Sequence, residues 1–334
     1  MALIGIDIGN NNCKIAMRDG GSMKLISSRM PDNIVRDGEV ASPETMARFL
    51  KMVRADEHIR DRNCALVLGS NQVFFRHISL PLMSTAELEL NLPYEFRDFI
   101  SDDPEGYLYD YAVDEMVPGE DGGPGRMELY ASAVSKQLVD EYAMMLKKSG
   151  FKLRMVTPAP MAYARLLQDY AKRVPEFMGQ DVVLVDIGHA DVTVSLFRGL
   201  RYDSARTIEM GCREFDNIIA DLKGIDPYTA GSYKFTNFEG VLDEQPCLAL
   251  CDRFAVEVAK VINFYNFSNR EREISLLCFL GGGARISQLT MAIAEAVAVP
   301  AASIEAVLPP EARGQENSPV CALAIGSMLE GEAM

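Results

Sequence analysis

Hydrophobic and polar positions follow the same pattern in two distant segments of the chain. In residues 4–17 and again in residues 183–196, an apolar run leads into an Asp-Ile-Gly step, a short polar turn and a second apolar run. This pattern predicts two buried strands joined by a tight hairpin. Because the pattern occurs twice, we expect two similar domains.

Apolar spacing predicts further elements between and after the hairpins. Residues at helical spacing indicate helices over 43–53 and 161–173, and a long helix with a buried stripe that includes Phe254. Uninterrupted apolar runs indicate buried strands, namely residues 64–69 and 274–280. Small residues at 321–329 predict a closely packed helix, and the Gly and Pro content of 118–125 predicts a loop.

The two predicted turns carry residues that suit a nucleotide. A glycine just after a carboxylate lets backbone N–H groups approach a phosphate, and the carboxylate can hold a hydrated Mg²⁺. One such aspartate is explained by a solvent-facing turn, but two in matching contexts favour function. The candidates are Asp7, Gly9, Asn10, Asn11, Asn12 and Lys14 in the first turn, and Asp186, Gly188, His189, Ala190 and Asp191 in the second. We expect the turns to face each other across a cleft, with Mg²⁺ held through water by Asp7 and Asp186.

A glycine run supplies a third candidate element. The apolar strand at 274–280 leads directly into Gly281, Gly282 and Gly283. Glycines at this position let the backbone lie flat against a base or a ribose. A plain turn from strand to helix is the alternative explanation.

The order of these features resembles the actin-like ATPase superfamily. Several other segments resemble the PilM family of type IV pilus assembly proteins; they are residues 80–100, 107–113, 129–134, 137–153 and 208–215. The last segment resembles the step from strand to helix after the second hairpin, and it adds Gly211 to the candidate nucleotide-binding residues. The resemblance covers nearly the whole chain.

The resemblance implies an α/β fold, the two-domain actin-like ATPase fold with an inserted subdomain of the FtsA and PilM type in the first domain. The implied first domain is 1–157, with the insertion at about 76–157, and a C-terminal helix at about 318–334 completes it. The implied second domain is 158–317, with a further subdomain at about 211–269.

The resemblance also implies a function. Members of the family bind ATP with Mg²⁺ in the cleft and capture the cytoplasmic N-terminal peptide of the membrane protein PilN. We therefore expect a cytoplasmic scaffold, held at the inner face of the membrane by its partner, that contacts other inner-membrane pilus or secretion platform proteins and is capable of self-association. The peptide groove is expected around 80–99 and 107–134. Tyrosines 107, 109 and 111 share one face of a strand there, which fits either cross-strand packing or peptide docking.

The second turn departs from the family pattern. Relatives usually carry small residues and hydroxyls where this chain has His189, Ala190 and Asp191. Asp191 brings negative charge toward a phosphate, which is unfavourable unless a metal or Lys14 offsets it. ATP hydrolysis is therefore an open question from the sequence. In the first turn asparagines replace the usual serines, and their amides can still donate to phosphate oxygens.

Composition narrows the range of partners. The formal charge of -15, from 48 acidic and 33 basic residues, argues against nucleic acid and against direct adhesion to an anionic membrane. The sequence predicts neither a signal peptide nor a transmembrane helix. Seven cysteines, mostly within apolar runs, indicate structural thiols in a reducing compartment.

Two other functions remain open at this level. A small-molecule kinase of the sugar-kinase type shares this cleft, but it needs a general base and a polar acceptor pocket. A filament-forming relative of the cell-division protein FtsA is the second alternative. The short acidic C-terminus lacks the basic amphipathic tail by which FtsA binds the membrane.

Overall fold

Two five-stranded sheets with the same strand order form the centre of the molecule. The structure is a computed structural model and describes residues 3–36, 38–100, 103–119 and 125–329. Numbered by their order along the chain, the first strand of each sheet pairs antiparallel with the second strand and parallel with the fourth. The second also pairs antiparallel with the third, and the fourth pairs parallel with the fifth. The duplication that the sequence predicts for the hairpins therefore extends to whole sheets.

The strands are β1 (Ile4–Ile8), β2 (Asn12–Asp19), β3 (Ser22–Arg29), β4 (Val35–Arg36), β5 (Glu39–Val40), β6 (Asn63–Leu68), β7 (Phe74–Pro81), β8 (Tyr107–Val117), β9 (Arg126–Ser135), β10 (Lys152–Pro158), β11 (Asp181–Ile187), β12 (Val192–Arg198), β13 (Arg201–Ile208), β14 (Ile274–Leu280) and β15 (Ala301–Ser303). The first sheet has the order β10-β6-β1-β2-β3 and the second has the order β13-β12-β11-β14-β15. Strands β7, β9 and β8 form a third sheet, and β4 pairs with β5.

The helices are α1 (Pro43–Asp56), α2 (Thr85–Asn91), α3 (Lys136–Ser149), α4 (Ala159–Arg173), α5 (Arg213–Lys223), α6 (Pro227–Thr236), α7 (Gln245–Ser268), α8 (Ser287–Val297) and α9 (Ala322–Met328). Helix α7 buries Phe254 and its neighbours at helical spacing, so the predicted core stripe is confirmed. Among the described residues, none of the helices combines the length and the hydrophobicity needed to cross a lipid bilayer.

Three buried clusters build the layers around the two large sheets. One lies between the first sheet and helices α1 and α3, and together these elements are called the first domain here. Another lies between one face of the second sheet and helices α5 to α8, which together are called the second domain. The third contains residues of both sheets together with α4 and α9. Because burial of apolar surface is the main stabilising term, this shared cluster joins the two domains.

Helix α9 lies directly on strand β1 and helix α4. A Cβ atom at Gly5 would be 1.8 Å from the carbonyl oxygen of Ala324, and one at Gly326 would be 2.1 Å from that of Ala162. Glycine is therefore required at both contacts. The predicted terminal helix at 318–334 is too long: it begins at Ala322 and ends at Met328, residues 318–321 form a turn, and residues 330–334 lie outside the described chain.

The inserted subdomain is smaller than the sequence resemblance implies. It consists of β7, β8, β9 and α2, which share a core of their own. Helix α3 packs instead in the core of the first sheet, and β10 pairs with β6 as an edge strand of that sheet. The insertion therefore ends near residue 135 rather than 157, and the chain from α3 onward returns to the first domain. Part of the predicted loop 118–125 lies outside the described residues.

Three tyrosines on β8 pack inward against the core of the inserted subdomain. Tyr107, Tyr109 and Tyr111 all lie against this cluster, and the Tyr109 ring is 5.8 Å from that of Phe96. The alternation of the strand thus serves cross-strand packing, the simpler of the two explanations that the sequence leaves open.

Candidate functional site

The first turn, between β1 and β2, is built around a lysine–aspartate pair. Asp7 and Lys14 face each other in the hairpin register, and Lys14 Nζ lies 3.0 Å from Asp7 Oδ2. The Gly9 N–H donates to the carbonyl oxygen of Asn12 at 3.1 Å and closes the turn. A Cβ at Gly9 would be 2.5 Å from Lys14 Nζ, so the ammonium group lies directly over the turn.

The asparagines of the first turn also hold neighbouring parts of the chain. The bonds run from Gly38 N–H to Asn10 Oδ1 (2.9 Å), from Met30 N–H to the Asn11 carbonyl oxygen (2.9 Å) and from Asn12 Nδ2 to Ser27 Oγ (3.0 Å). An amide nitrogen carries two donors, so Asn12 can still donate to a phosphate. These bonds fix the shape of the turn, which the sequence alone does not reveal.

The second turn, between β11 and β12, repeats the backbone bond of the first. The Gly188 N–H donates to the carbonyl oxygen of Asp191 at 2.9 Å. Helix α5 begins directly against this turn, because the Arg213 N–H donates to the carbonyl oxygen of His189 at 2.9 Å. A Cβ at Gly211 would be 2.4 Å from that same oxygen. Gly211 therefore acts as a spacer that lets α5 support the turn from behind.

Two residues from other elements lie against Asp186, one of which bonds it while the other leaves no room for a side chain. Tyr163 of α4 donates its hydroxyl to Asp186 Oδ2 at 2.7 Å. A Cβ at Gly281 would be 2.3 Å from Asp186 Oδ1, and Gly281 has a φ of +83° that favours glycine. Burial raises the pKa of the Asp186 carboxyl above its ordinary value, although the Tyr163 hydroxyl and Lys14 lower it.

Charges from both turns converge on Lys14. Burial lowers the pKa of Lys14, but Asp7 and Asp186 raise it, and the net pKa lies above the ordinary value. Burial likewise raises the pKa of Asp191, while Lys14 lowers it. The structure thus brings three carboxylates, one from the first turn and two from the second, within electrostatic reach of one ammonium group.

The three successive glycines differ in their surroundings. A Cβ at Gly283 would be 2.2 Å from Ile187 Cγ2, and the Gly281 N–H donates to the carbonyl oxygen of Pro319 at 3.0 Å. At Gly282, by contrast, no heavy atom of the described chain lies within 4 Å of the Cβ position. Gly281 and Gly283 serve close packing, whereas the backbone at Gly282 borders open space.

A buried ion pair that the sequence does not predict lies behind the second turn. Lys234 Nζ donates to Asp216 Oδ1 at 2.6 Å, and the side chains are 2% and 9% exposed. His189 Nδ1 lies 3.8 Å from the other oxygen of Asp216. Burial lowers the pKa of His189, and Asp216 only partly offsets this. Asp216 and Lys234 lie on different helices, so no spacing in the sequence indicates the pair.

One side chain of the first domain reaches across to the second. Arg29, at the end of β3, stacks on the ring of Tyr228 in α6, with Cζ 3.7 Å from the ring centre. Its charge also contributes to lowering the pKa of His189. This cation–π contact therefore spans the two domains close to the second turn.

The carboxylates of the two turns suit a metal that is held mostly by other ligands. In the part of the chain that the structure describes, there is no group of three or more His, Cys, Asp and Glu side chains arranged to hold a metal ion. Mg²⁺ usually keeps several waters and binds one or two carboxylates together with substrate phosphates. Asp7 and Asp186 fit a Mg²⁺ site of this kind, in which water and phosphate supply the remaining ligands.

A groove separates the inserted subdomain from helix α3. Two neighbouring cavities, of about 550 and 490 Å³, both include Glu141 and Met144 in their linings. The first is lined on one side by Asp103 and Tyr107 and on the other by the beginning of α3. The second continues between α3 and the segment before α1. Of the segments expected to form the peptide groove, 80–99 and 107–134, only Tyr107 is among the described lining residues.

The family model of the type IV pilus assembly protein PilM matches residues 5–318. The chain belongs to the PilM family. No curated protein matches it. The match includes both large sheets and the inserted subdomain and ends just before α9, so all the segments that resemble the family lie within it.

Solved structures agree with the PilM assignment in fold. A PilM–PilN type IV pilus biogenesis complex is similar with a TM-score of 0.78 and 22% identity, over 98% of this chain and 97% of that chain. The ethanolamine utilization protein EutJ from Carboxydothermus hydrogenoformans is similar with a TM-score of 0.60 and 13% identity, over 99% and 90%. MreB5 of Spiroplasma citri bound to ADP is similar with a TM-score of 0.53 and 11% identity, over 98% and 94%. The predicted two-domain actin-like fold class is therefore confirmed.

Proposed function

We propose that this PilM family member is an adaptor of type IV pilus assembly that binds the cytoplasmic N-terminal tail of a PilN-like membrane protein. The observation that carries the proposal is the groove between the inserted subdomain and α3. It supplies two neighbouring cavities, and family membership supplies the expected partner. Through that tail the adaptor is held at the inner face of the membrane, next to other platform proteins of the pilus machinery.

The charges and apolar groups of the groove suit such a tail. Asp103, Asp140 and Glu141 line it, against Lys136 and Lys148. Cytoplasmic segments next to membrane helices carry an excess of Lys and Arg, so a tail of that kind meets an acidic lining.

An apolar contact is also available in the groove. The Met144 side chain is 57% exposed and lines both cavities. A flexible methionine adapts to apolar side chains of different shapes. The tail would therefore combine basic residues with at least one apolar anchor.

Calorimetry with a synthetic peptide that copies the PilN tail of the same organism tests the adaptor function. We expect binding to the full chain, and Met144→Arg should weaken it by about tenfold or more because it adds bulk and positive charge to the groove. Met178→Arg is the matched control, since Met178 is 65% exposed and lies beyond α4, away from the groove. Absence of binding to the unmodified chain, or equal binding by Met144→Arg, would contradict the proposal.

The cleft is proposed to hold ATP with Mg²⁺. The supporting observations are the paired turns, the ammonium group of Lys14 over the first turn, and the open space at Gly282. Asp7 and Asp186 would hold Mg²⁺ through water, Lys14 would contact a phosphate, and the backbone at Gly282 would border the base or ribose. Bound Mg²⁺ would neutralise phosphate charge, and the chain's own groups would orient the nucleotide. Calorimetry with Mg-ATP and Mg-ADP tests this assignment, and no heat with either would refute it.

The family match does not favour a sugar-type kinase or an FtsA-like filament. Transfer of phosphate from ATP to a panel of sugars would revive the first alternative. ATP-dependent sedimentation of the purified chain would revive the second.

A further inference from the structure

Positive charge is concentrated at one corner of the first domain. Helices α1 and α3 end there, and strands β6 and β10 begin there. The two chain segments that form this corner, 51–62 and 147–154, carry eight Lys and Arg residues against three Asp and Glu, although the whole chain has a charge of -15. We call the cations of these segments the basic corner; they are Lys51, Arg54, Arg60, Arg62, Lys147, Lys148, Lys152 and Arg154.

Backbone contacts hold the two segments of the basic corner together. The Lys152 N–H donates to the carbonyl oxygen of Arg62 at 2.6 Å, where β10 begins to pair with β6. The Arg54 guanidinium donates to the carbonyl oxygen of Arg60 at 3.3 Å, and a Cβ atom at Gly150 would be 3.3 Å from the same guanidinium. Seven of the eight cations are exposed and Arg54 is half-buried, so their charges face solvent in one region.

Few carboxylates neutralise the basic corner. Within the described chain, Lys148 is the one member that forms an ion pair, with Glu44 at 3.8 Å. Of the three acidic residues in the same segments, Glu57 pairs with Lys24, which lies outside the corner. The other two, Asp56 and Asp61, are exposed and offset only part of the charge. The corner therefore keeps a net positive charge.

The ends of the helices explain only part of this charge. Arg54 lies in the last turn of α1, and Lys147 and Lys148 lie in the last turn of α3, where cations stabilise the helix dipole. Four other members lie beyond both helices, in the loop before β6 and on β10; they are Arg60, Arg62, Lys152 and Arg154. A helix dipole does not account for these four.

The side chains of the basic corner suit an anionic surface better than a folded protein partner. Protein interfaces centre on apolar and aromatic anchors. In the two segments, the only exposed large apolar side chain that the structure describes is that of Met52. Clusters of Lys and Arg instead attract the phosphate groups of anionic lipids, with roughly a fivefold gain in affinity for each cation near the surface.

The acidic residues elsewhere in the chain do not cancel this attraction. The net charge of -15 predicts repulsion from an anionic membrane only if the charge is spread evenly over the protein. At physiological ionic strength the screening length is about 8 Å. A membrane in contact with the basic corner therefore responds mainly to the charges of that corner.

The position of the basic corner also favours a membrane. Lys148 belongs to the corner and lines the second cavity of the groove. The tail that is proposed to fill the groove leads to a membrane helix. In the proposed complex, this side of the first domain is therefore the side next to the lipid.

We infer that the basic corner binds the phosphate groups of an anionic lipid surface and so orients the first domain on the membrane. This contact goes beyond the proposed function, because it requires no PilN-like protein. The two can therefore be tested separately, one with lipid vesicles and the other with the tail peptide.

Flotation of the full chain with protein-free vesicles tests the lipid contact. Vesicles of about two parts phosphatidylcholine to one part phosphatidylglycerol should carry the chain upward, and vesicles of phosphatidylcholine alone should not. The triple variant Arg60→Gln, Arg62→Gln and Lys152→Gln should bind at least about tenfold more weakly. If the unmodified chain does not float with phosphatidylglycerol, the inference is wrong, while peptide binding measured by calorimetry would still support the adaptor function.

A second triple variant with the same net charge provides the control. Arg97→Gln, Arg253→Gln and Lys260→Gln remove three exposed cations, one between α2 and β8 and two on α7. This variant should bind the phosphatidylglycerol vesicles within about twofold of the unmodified chain. An equal loss of binding in both triple variants would show that net charge decides the affinity, and this result would contradict a role for the basic corner.

Fluorescence identifies the face that meets the lipid. The chain contains no tryptophan, so Ala55→Trp introduces a single reporter at an exposed position in the last turn of α1. Phosphatidylglycerol vesicles should shift its emission to shorter wavelength, and about 1 M salt, where the screening length is about 3 Å, should abolish the shift. Met291→Trp, on α8 of the second domain, is the control and should not respond. A shift at residue 291 but not at residue 55 would place the lipid on another face and overturn the inference.

Discussion

The two turns are closed by the same backbone hydrogen bond but hold their aspartates in different ways. Across the first hairpin, Asp7 faces Lys14 in register and forms an ion pair with it. Across the second, Asp186 faces Thr193 and takes its hydrogen bond from Tyr163, on a helix outside the hairpin. The repeat therefore preserves the geometry that positions the carboxylate, whereas the neutralising partner is supplied locally in one copy and from a distance in the other.

The contacts that hold each turn in place also differ between the two copies. Side chains of the first turn bind neighbouring loops and strands, as Asn10 does with Gly38. The second turn is enclosed by backbone, with α5 on one side and Gly281 on the other. Added bulk beside the second turn should therefore disturb folding, whereas removal of a charged group from the first turn should act through the lost ion pair.

The largest effect is expected at Gly281. Gly281→Ala would place a methyl group 2.3 Å from Asp186 Oδ1 and 2.6 Å from the carbonyl oxygen of Ile187, at a φ that only glycine favours. We expect a loss of about 3–5 kcal/mol in the free energy of unfolding, measured by urea denaturation. The neighbouring Gly282→Ala, which meets open space, should change stability by less than about 0.5 kcal/mol. Equal effects of the two substitutions would show that the second turn is not enclosed as described.

Removing the ammonium group of Lys14 from the first turn should have the next largest effect on stability. Lys14→Met keeps much of the side chain's shape but leaves Asp7 and Asp186 without their ammonium partner. We expect a loss of about 2 kcal/mol in unfolding free energy and at least about tenfold weaker ATP binding by calorimetry. Lys24→Met removes a more exposed pair with Glu57 and should cost no more than about 1 kcal/mol. Unchanged ATP affinity in Lys14→Met would remove Lys14 from the proposed phosphate contacts.

The contribution of Tyr163, the partner of Asp186 on α4, can be tested by removing its hydroxyl oxygen. Tyr163→Phe removes the bond to Asp186 and should cost about 1.5 kcal/mol, because the acceptor is a partly buried carboxylate. Tyr109→Phe removes a hydrogen bond to the Pro104 carbonyl oxygen near the surface and should cost about 0.5 kcal/mol. If thermal denaturation gives the same loss for both variants, Asp186 does not depend on α4 in the way proposed.

The smallest effect on stability is expected at Asp191, and among these predictions it is the only increase. Because burial raises its pKa, the unfolded chain releases this proton first, and stability falls as pH rises from the ordinary aspartate pKa through the raised one. Asp191→Asn should therefore be more stable than the unmodified chain at neutral pH, by less than about 1 kcal/mol, and this gain should disappear below about pH 4.

The same substitution should strengthen ATP binding by about threefold, because it removes negative charge facing the phosphates. Asp19→Asn, on the exposed turn between β2 and β3, is the control and should change neither quantity. Weaker ATP binding by Asp191→Asn would mean that this carboxylate helps to hold the metal.

The sequence predicts much of the fold because its signals are local. Both hairpins, the strand before the three glycines and the buried stripe of α7 are visible as runs and periods of apolar residues. The extent of the inserted subdomain is not visible in the sequence. Helix α3 and strand β10 differ from the elements of that subdomain only in what they contact. The sequence likewise points to Asp7 and Asp186 as candidate site residues but not to Tyr163, Asp216 or Lys234. Those three lie on separate helices, and nothing in the local sequence distinguishes them from other helix residues. Only tertiary packing brings them next to the turns.

The contact of α9 with β1 bears on how this protein folds during synthesis. The Cys321 thiol reaches the carbonyl oxygen of Ile26, 295 positions earlier in the chain. One face of the first sheet consequently stays uncovered on the ribosome until α9 has emerged. Such long-range closure slows folding and exposes apolar surface in the meantime. A nascent chain stalled before residue 322 should recruit chaperones and be cut readily by protease, whereas one stalled on a C-terminal extension long enough to bring residue 329 out of the ribosome should resist.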